Sequence, residues 1–146
     1  MKSADESVPQ PAPSEQGEIS PLESEQDARA IAMMAAEKKA EDIVVLRVRE
    51  LVQYTDWFVI CSGRSDRQVA AIRDHLKRQT RNNLALRHTS IEGDGTNQWV
   101  IIDYGDVVVH IFFDPVREYY QLEGLWADAP QLELDLPADR KDPYSS

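Results

Sequence analysis

The sequence predicts a small α/β domain in which a mixed β-sheet packs with helices as a sandwich. Three observations lead to this fold class. Two segments carry apolar residues at helical spacing, two short runs are rich in β-branched residues, and residues 99–113 indicate two strands joined by a tight turn. Strands that alternate with helical segments are typical of sheets with helical crossovers.

The first helix and the first two strands follow from short local patterns. A capping box at residues 20–23, with proline at the first helical position, offers one start for the helix, and an apolar stripe follows. The helix is expected to be firm from near Asp27. Residues 43–48 form a β-branched run, which predicts a strand. Residues 56–62 are almost continuously apolar, so this second strand is expected in the interior of the sheet.

The second helix begins after Gly63, where residues 65–68 supply another capping box. Its apolar stripe predicts that it ends near residue 83. Residues 84–87 form a weaker strand pattern, and the glycine-containing residues 92–97 predict a loop.

The hairpin at residues 99–113 is the most informative segment. A two-residue turn at residues 105–106 would place Tyr104 opposite Val107 and Trp99 opposite Phe112. Because side chains alternate along a strand, the two faces separate. The core face carries Val100, Ile102, Tyr104, Val107, Val109 and Ile111. The other face carries Trp99, Ile101, Asp103, Val108, His110 and Phe112.

The second hairpin face combines aromatic side chains with two polar ones. A carboxylate is almost never fully buried without a partner. Either a helix therefore covers this face and provides partners for Asp103 and His110, or the face is a docking surface for another macromolecule. Both interpretations are open at the level of the sequence.

A short helix is expected after the hairpin. It begins at residues 114–115, an Asp-Pro pair, and is expected to end near Glu123. Arg117 and Tyr119 are predicted to pack this helix against the sheet, with the apolar residues 125–126 folding back behind it.

The acidic residues divide the chain into three parts. Residues 1–28 hold seven carboxylates and one lysine, and residues 127–146 hold five carboxylates and two basic side chains, so nine of the ten net negative charges lie near the termini. Such segments bury too little apolar surface to offset their ordering entropy. We expect a disordered, proline-rich tail over residues 1–26, a folded domain over 27–126, and a mostly disordered acidic extension over 127–146.

The sequence predicts neither a metal nor a cofactor site. His75, His88 and His110 show no ligand spacing with one another or with Cys61. The single cysteine excludes an intramolecular disulfide, suits a reducing cytosol and is expected to be a buried small apolar residue. A signal peptide and a membrane-length apolar run are both missing, so a cytoplasmic location is expected.

An enzymatic alternative centres on the turn at residues 62–66. This turn follows a strand and opens a helix, a position at which phosphates are often bound. It is loosely similar to the Gly-Ser loop of nucleotidyltransferases, and Asp103 and Asp106 would supply the paired carboxylates. Because Asp103 points from a strand face whereas Asp106 lies in a turn, the pattern favours a protein without catalytic residues.

Basic side chains are concentrated around the second helix: Arg64, Arg67, Arg73, Lys77, Arg78, Arg81 and Arg87. The acidic termini repel phosphates at long range, so nucleic acid is not the expected main ligand, although a minor contact with RNA stays open. An acidic protein with an aromatic strand face is better suited to a basic protein partner.

Five motifs carry a family resemblance: KAEDIVVL at residues 39–46, DWFVICSG at 56–63, WVIIDYGD at 99–106, VHIF at 109–112 and REYYQLEGLW at 117–126. In this order and spacing, the chain resembles the ribosomal silencing factor family, also called RsfS or Iojap, over about residues 27–126.

The resemblance implies a fold similar to a nucleotidyltransferase without its catalytic aspartates. It also implies binding to the large ribosomal subunit through the fourteenth protein of the large-subunit series, at the intersubunit face. Occupation of that face would block association with the small subunit and repress translation when nutrients are limiting. A role in large-subunit assembly is the alternative function. The sequence does not decide whether the protein forms a homodimer.

The resemblance places the partner-binding surface on the Trp99 strand and its neighbour. The residues that it implies are Trp99, Val100, Asp103, Tyr104, Asp106, His110 and Tyr120. Val100 and Tyr104 lie on the core face of the hairpin by alternation, so their place in this set conflicts with the strand pattern.

Overall fold

The computed structural model describes residues 21–121, 124 and 127–136, with side chains from Glu23 onward. The elements are α1 (Pro21–Glu37), β1 (Glu41–Arg47), β2 (Trp57–Gly63), α2 (Asp66–Leu84), β3 (Ser90–Glu92), β4 (Trp99–Asp103), β5 (Val107–Phe113) and α3 (Asp114–Tyr120). Residues 1–20 of the expected tail lie outside the described residues. α1 begins at Pro21, at the capping box of residues 20–23, and not as late as the firm start that was expected near Asp27.

The five strands form one mixed sheet in the order β1-β2-β5-β4-β3. β2 and β5 are parallel, and the other pairs are antiparallel. Every residue of β2 is buried, which agrees with its continuous apolar sequence and its interior position. The predicted mixed α/β fold is therefore confirmed.

α1 and α2 pack on one face of the sheet and close it from solvent. The Trp57 indole N–H donates to the Ser24 hydroxyl at 3.0 Å, which ties α1 to the start of β2. The apolar side chains beneath the two helices include Val45, Val59, Val100, Ile102, Val109 and Ile111. Cys61 lies in the same cluster, and burial raises the pKa of its thiol to about 12, so it is the buried apolar residue that was expected.

Side-chain caps fix the start of α2. The Ser65 hydroxyl accepts from the Gln68 backbone N–H at 3.0 Å, and the Gln68 side-chain oxygen accepts from the Arg64 N–H at 2.7 Å. The predicted helix start is confirmed. The predicted strand at residues 84–87 is wrong, because α2 continues to Leu84 and ends at Ala85 in the left-handed conformation (φ 55°). The strand in this region is β3, which pairs with β4.

The hairpin has the predicted register. Trp99 lies opposite Phe112, and the Tyr104 N–H donates to the Val107 carbonyl at 2.9 Å. Gly105 adopts φ 94°, a value that side chains disfavour, and this conformation closes the tight turn. The alternation of hairpin faces that was inferred from the sequence therefore applies to the folded chain.

Residues 127–136 pack along the outer edge of β1, whereas the sequence composition led us to expect disorder over most of 127–146. The Arg47 N–H donates to the Pro130 carbonyl at 2.8 Å, and the Leu132 N–H donates to the Val45 carbonyl at 2.9 Å. Leu136 is buried, and Leu132 and Leu134 pack against the helix-side core. Residues 137–146 lie outside the described part of the chain.

α3 is shorter than expected and ends at Tyr120, with Gln121 in the left-handed conformation. Arg117 is buried, and its Nη1 donates to the Ser62 hydroxyl at 2.8 Å, so it packs α3 against the sheet as predicted. Tyr119 does not, because 81% of it is exposed. The expected packing of residues 125–126 falls outside the described residues. No helix within the described ranges is long and apolar enough to cross a membrane.

Candidate docking surface

The sheet face opposite α1 and α2 is only partly closed. We call it the Trp99 face and define it by the side chains of Phe58, Trp99, Ile101, Asp103, Val108, His110 and Phe112. α3 packs over one end of this face through Val116 and Arg117. Trp99, Ile101 and Asp103, all on β4, remain partly exposed.

Trp99 is held in one orientation by three neighbours. Its indole N–H donates to His110 Nδ1 at 3.1 Å. The ring stacks on Phe112 with centroids 4.8 Å apart, and the Tyr120 ring lies 5.2 Å away. The indole is therefore fixed in place while part of it stays accessible.

His110 lies behind the indole and positions it. Only 6% of His110 is exposed, and burial lowers its pKa to about 4, so the imidazole is neutral at pH 7. Since Nδ1 accepts from Trp99, the ring proton is assigned to Nε2, which has no hydrogen-bond partner among the described residues. The Phe58 ring packs edge-to-face against the imidazole at 4.8 Å.

Two exposed tyrosines flank the Trp99 face. Tyr120, which the resemblance implied, is 52% exposed, and Tyr54 is 62% exposed. The Tyr54 ring lies 6.2 Å from Phe58, and burial together with the negative charge of Asp103 raises the pKa of its hydroxyl. Sequence reasoning missed Tyr54, whose one local signal is an aromatic residue in an otherwise polar connection.

The end of the sheet at the β4–β5 turn is acidic. The Asp103 carboxylate is partly exposed and accepts from the Gly105 N–H at 2.8 Å. The pKa of Asp27 is raised by burial and by the negative charges of Glu23 and Asp106. Carboxylates from α1 and from the hairpin thus meet at this end, near Tyr54, whereas Trp99 and Phe112 pair at the other end of the hairpin.

Val100 and Tyr104 do not belong to this surface. Val100 is fully buried beneath the helices, and the Tyr104 hydroxyl lies 3.1 Å from the Thr80 hydroxyl of α2. Burial raises the pKa of Tyr104. Strand alternation predicted that both residues lie on the core face, and the structure confirms this. Their inclusion among the partner-binding residues, which the resemblance implied, is wrong.

The residues of the enzymatic alternative do not converge. Gly63 pairs with Phe113 at one end of β5, whereas Asp106 precedes the other end, where Val107 pairs with Trp57. Six residues of strand separate the two positions by roughly 20 Å. Within the described ranges, moreover, no three His, Cys, Asp or Glu side chains are grouped so that they could hold a metal ion.

A family model described as "Ribosomal silencing factor during starvation" matches residues 21–146. The chain belongs to the ribosomal silencing factor family. It is 44% identical over 99 residues to ribosomal silencing factor RsfS of Bacillus subtilis, a match that covers 68% of this chain and 83% of that protein. It is also 34% identical to mouse mitochondrial assembly of ribosomal large subunit protein 1, over 69% of this chain and 45% of the mouse protein.

A solved structure has the same fold. A crystal structure of a Bacillus halodurans protein superposes with a TM-score of 0.65 at 39% identity, covering 75% of this chain and 99% of the other. The family resemblance is thus confirmed, whereas the likeness to a nucleotidyltransferase fold stays a prediction. The family match begins at residue 21, where α1 begins, and not at the predicted domain boundary at residue 27.

Proposed function

We propose that this protein is a ribosomal silencing factor that docks through the Trp99 face onto the fourteenth protein of the large ribosomal subunit. The observation that carries the proposal is Trp99 itself, an aromatic side chain that is fixed by His110 and Phe112 and still partly exposed. Aromatic residues of this kind dominate the energetics of many interfaces. The name of the family supports a ribosomal partner.

The proposed contact set is narrower than the sequence resemblance implied. Trp99 is the anchor, and Tyr54 and Tyr120 extend the aromatic surface on either side. Asp103 and Asp106 face Lys and Arg side chains of a basic partner, which orients the complex and accelerates association. His110 contributes indirectly, by holding the indole.

In this proposal, silencing is steric and involves no catalysis. A domain bound at the intersubunit face of the large subunit occupies space that the small subunit needs, so the two subunits do not associate. Translation is repressed under nutrient limitation, in the cytoplasm. The mechanism requires tight, specific docking and no cofactor.

Co-sedimentation with purified large subunits tests the docking surface. We expect Trp99→Glu to abolish co-sedimentation, because it places a charge where an aromatic anchor is needed. Met33→Glu is the matched control, since Met33 is an exposed apolar residue on α1 at the opposite side of the sheet. Tyr54→Ala adds a milder change on the Trp99 face, and circular dichroism verifies that each variant is folded. Equal binding by Trp99→Glu and Met33→Glu would contradict the proposal.

A role in large-subunit assembly is the second candidate, favoured by the name of the mouse relative. Subunit reassociation separates the two functions. A silencing factor added to mature, purified subunits lowers the fraction of joined ribosomes in a sucrose gradient. A pure assembly factor leaves that fraction unchanged and causes precursor particles to accumulate when it is depleted.

A homodimer formed by strand pairing would have to use β3. Residues 130–132 already occupy the outer edge of β1, whereas β3 has a neighbouring strand only on its β4 side within the part of the chain that the structure describes. β3 is short, with three residues, so such pairing would be weak. Light scattering across a range of protein concentrations tests this part of the proposal.

A further inference from the structure

A second surface, built on α2, combines several cations in a concave site. A groove of about 460 Å³ lies between α2 and the segment that follows it. Its lining residues are Asp74, Lys77, Arg78, Arg81, Leu86, Arg87 and His88. The four from α2 have the spacing i, i+3, i+4 and i+7, which places them on one stripe of the helix. We call this site the α2 groove.

The α2 groove carries a local excess of positive charge. Lys77, Arg78, Arg81 and Arg87 are all exposed, and within the described ranges none forms an ion pair with a carboxylate. Asp74 is the one acid of the lining, and Arg73 binds its carboxylate at 2.9 Å. The chain as a whole has a net charge of −10, so the positive charge of this groove is opposite in sign to the net charge of the protein.

We propose that the α2 groove binds the phosphodiester backbone of RNA. Guanidinium groups present planar forks of donors that match phosphate oxygens, and three of the four cations are arginines. Leu86 and His88 add an apolar and an aromatic side chain against which a ribose or an unstacked base can pack. An acidic peptide could pair with the cations of the groove, but it would have no ribose or base to pack against Leu86 and His88.

The groove lies beside the acidic end of the Trp99 face. Thr89, which directly follows the groove, donates from its backbone N–H to the Asp103 carbonyl at 2.8 Å. The Tyr104 hydroxyl contacts Thr80, which lies in the same final turns of α2. The groove therefore borders the β3 edge of the sheet, while α2 itself packs on the face opposite the Trp99 face. A partner on the Trp99 face and RNA in the groove would occupy separate surfaces of the domain.

This placement deepens the proposed function and rests on it, because proteins of the large subunit are embedded in ribosomal RNA. Long-range repulsion between RNA and the acidic chain lowers the affinity for free RNA without abolishing it. Once the Trp99 face has docked, RNA that reaches the β3 edge of the sheet can contact the groove at short range. Protein recognition then selects the site, and phosphate contacts fix the orientation.

Fluorescence anisotropy with a fluorescein-labelled RNA hairpin tests the groove in the full-length chain. The double variant Arg78→Glu/Arg81→Glu is expected to weaken binding by about tenfold or more, and to lower the slope of log affinity against log salt by about two. The matched control is Lys39→Glu/Arg67→Glu. It makes the same change of charge at exposed residues, with Arg67 roughly 16 Å from Arg78 along α2.

Three results would overturn the proposal. The first is equal loss of RNA affinity in both double variants, which would indicate net charge alone. The second is wild-type protein that does not bind the hairpin at low salt. The third is displacement of the hairpin by polyglutamate as effectively as by unlabelled RNA, since the groove would then be a general anion site.

A parallel measurement separates this proposal from the docking proposal. Trp99→Glu is expected to lose binding to large subunits and to keep its affinity for the RNA hairpin. The Arg78→Glu/Arg81→Glu variant is expected to keep binding to the isolated ribosomal protein partner and to dissociate from intact subunits at lower salt than wild type. If wild-type protein binds the RNA hairpin but does not bind large subunits, the docking proposal is contradicted and the proposal for the groove still holds.

Discussion

At Trp99, one hydrogen bond and two ring contacts fix an aromatic side chain before any partner arrives. A side chain that is already immobilised loses less conformational entropy on binding, so more of its buried area contributes to affinity. His110 supplies the hydrogen-bond acceptor, and it does so only as neutral imidazole. The protonation state of one buried residue therefore controls the geometry of the anchor.

Titration of His110 is expected to make folding stability depend on pH. The folded-state pKa is about 4 because of burial, whereas an unfolded histidine titrates near 6.5, so the unfolded chain binds the extra proton first. This contribution to stability is complete above pH 6.5 and is lost as the pH falls toward 4, by about 3 kcal/mol in total. Urea unfolding of wild type and His110→Gln across this range measures it.

The His110→Gln variant keeps an acceptor for the Trp99 indole but removes the titrating group. The difference in unfolding free energy between wild type and variant should therefore shrink as the pH falls, because only wild type loses the histidine contribution. A difference that stays constant between pH 7 and pH 4 would show that His110 does not titrate as its burial implies.

Sequence alternation placed Trp99 and His110 on the same face, but it could not predict their hydrogen bond. Trp99 lies opposite Phe112, and His110 lies opposite Ile101, so the two side chains are diagonal neighbours. Diagonal neighbours touch only when their rotamers lean toward each other, which depends on packing from α3 and β2. Tyr54 was not predicted for a related reason. It lies in the connection between β1 and β2, where no strand periodicity assigns a side chain to one face of the sheet.

At the level of elements, the segment along β1 shows how composition can mask a strand-like pattern. Residues 131–136, QLELDL, place a leucine at every second position, which is the alternation of a half-buried extended segment. Their acidic content led to an expectation of disorder. Leu132 and Leu134 instead pack against the core and Leu136 is buried, while the intervening polar residues remain exposed.

Deletion of residues 127–146 is expected to destabilise the domain and to uncover an edge strand. Loss of Leu136 and of the two half-buried leucines should lower the unfolding free energy by about 2–4 kcal/mol. The unpaired edge of β1 would then favour association between chains. Chemical denaturation and light scattering at increasing concentration measure the two effects.

Deletion of residues 137–146 alone is the matched control, because it leaves the contacts with β1 in place. It should lower the unfolding free energy by less than the longer deletion does, because the leucines that pack against the domain remain. If the two deletions are equally stable and equally monomeric, then the segment does not protect the edge of β1.

Elements whose signals are local were predicted, and those that depend on distant pairing were not. The start of α2 follows from its own capping residues, and β2 follows from its continuous apolar run. β3 forms because its three residues pair with β4, and the sequence of Ser90–Glu92 alone does not predict a strand. Leu84 completes α2 rather than beginning a strand, since its side chain packs against the core that the helix already buries.

The whole molecule has a sheet with one closed face and one partly open face. α1 and α2 close the first, and α3 leaves β4 accessible on the second. Charge is also distributed unevenly, with carboxylates at the β4–β5 turn and an excess of cations in the α2 groove. The net charge of the chain therefore describes neither surface, and only the fold shows that the two lie side by side.

Side-chain oxidative footprinting of the full-length protein, alone and bound to purified large subunits, tests the docking surface most directly. Trp99, Tyr54 and Tyr120 should lose most of their reactivity on binding, because the partner would cover these partly exposed rings. Met33, 41% exposed on α1, should react equally in both states. Protection of Met33 with unchanged oxidation of the three aromatic residues would contradict docking through the Trp99 face.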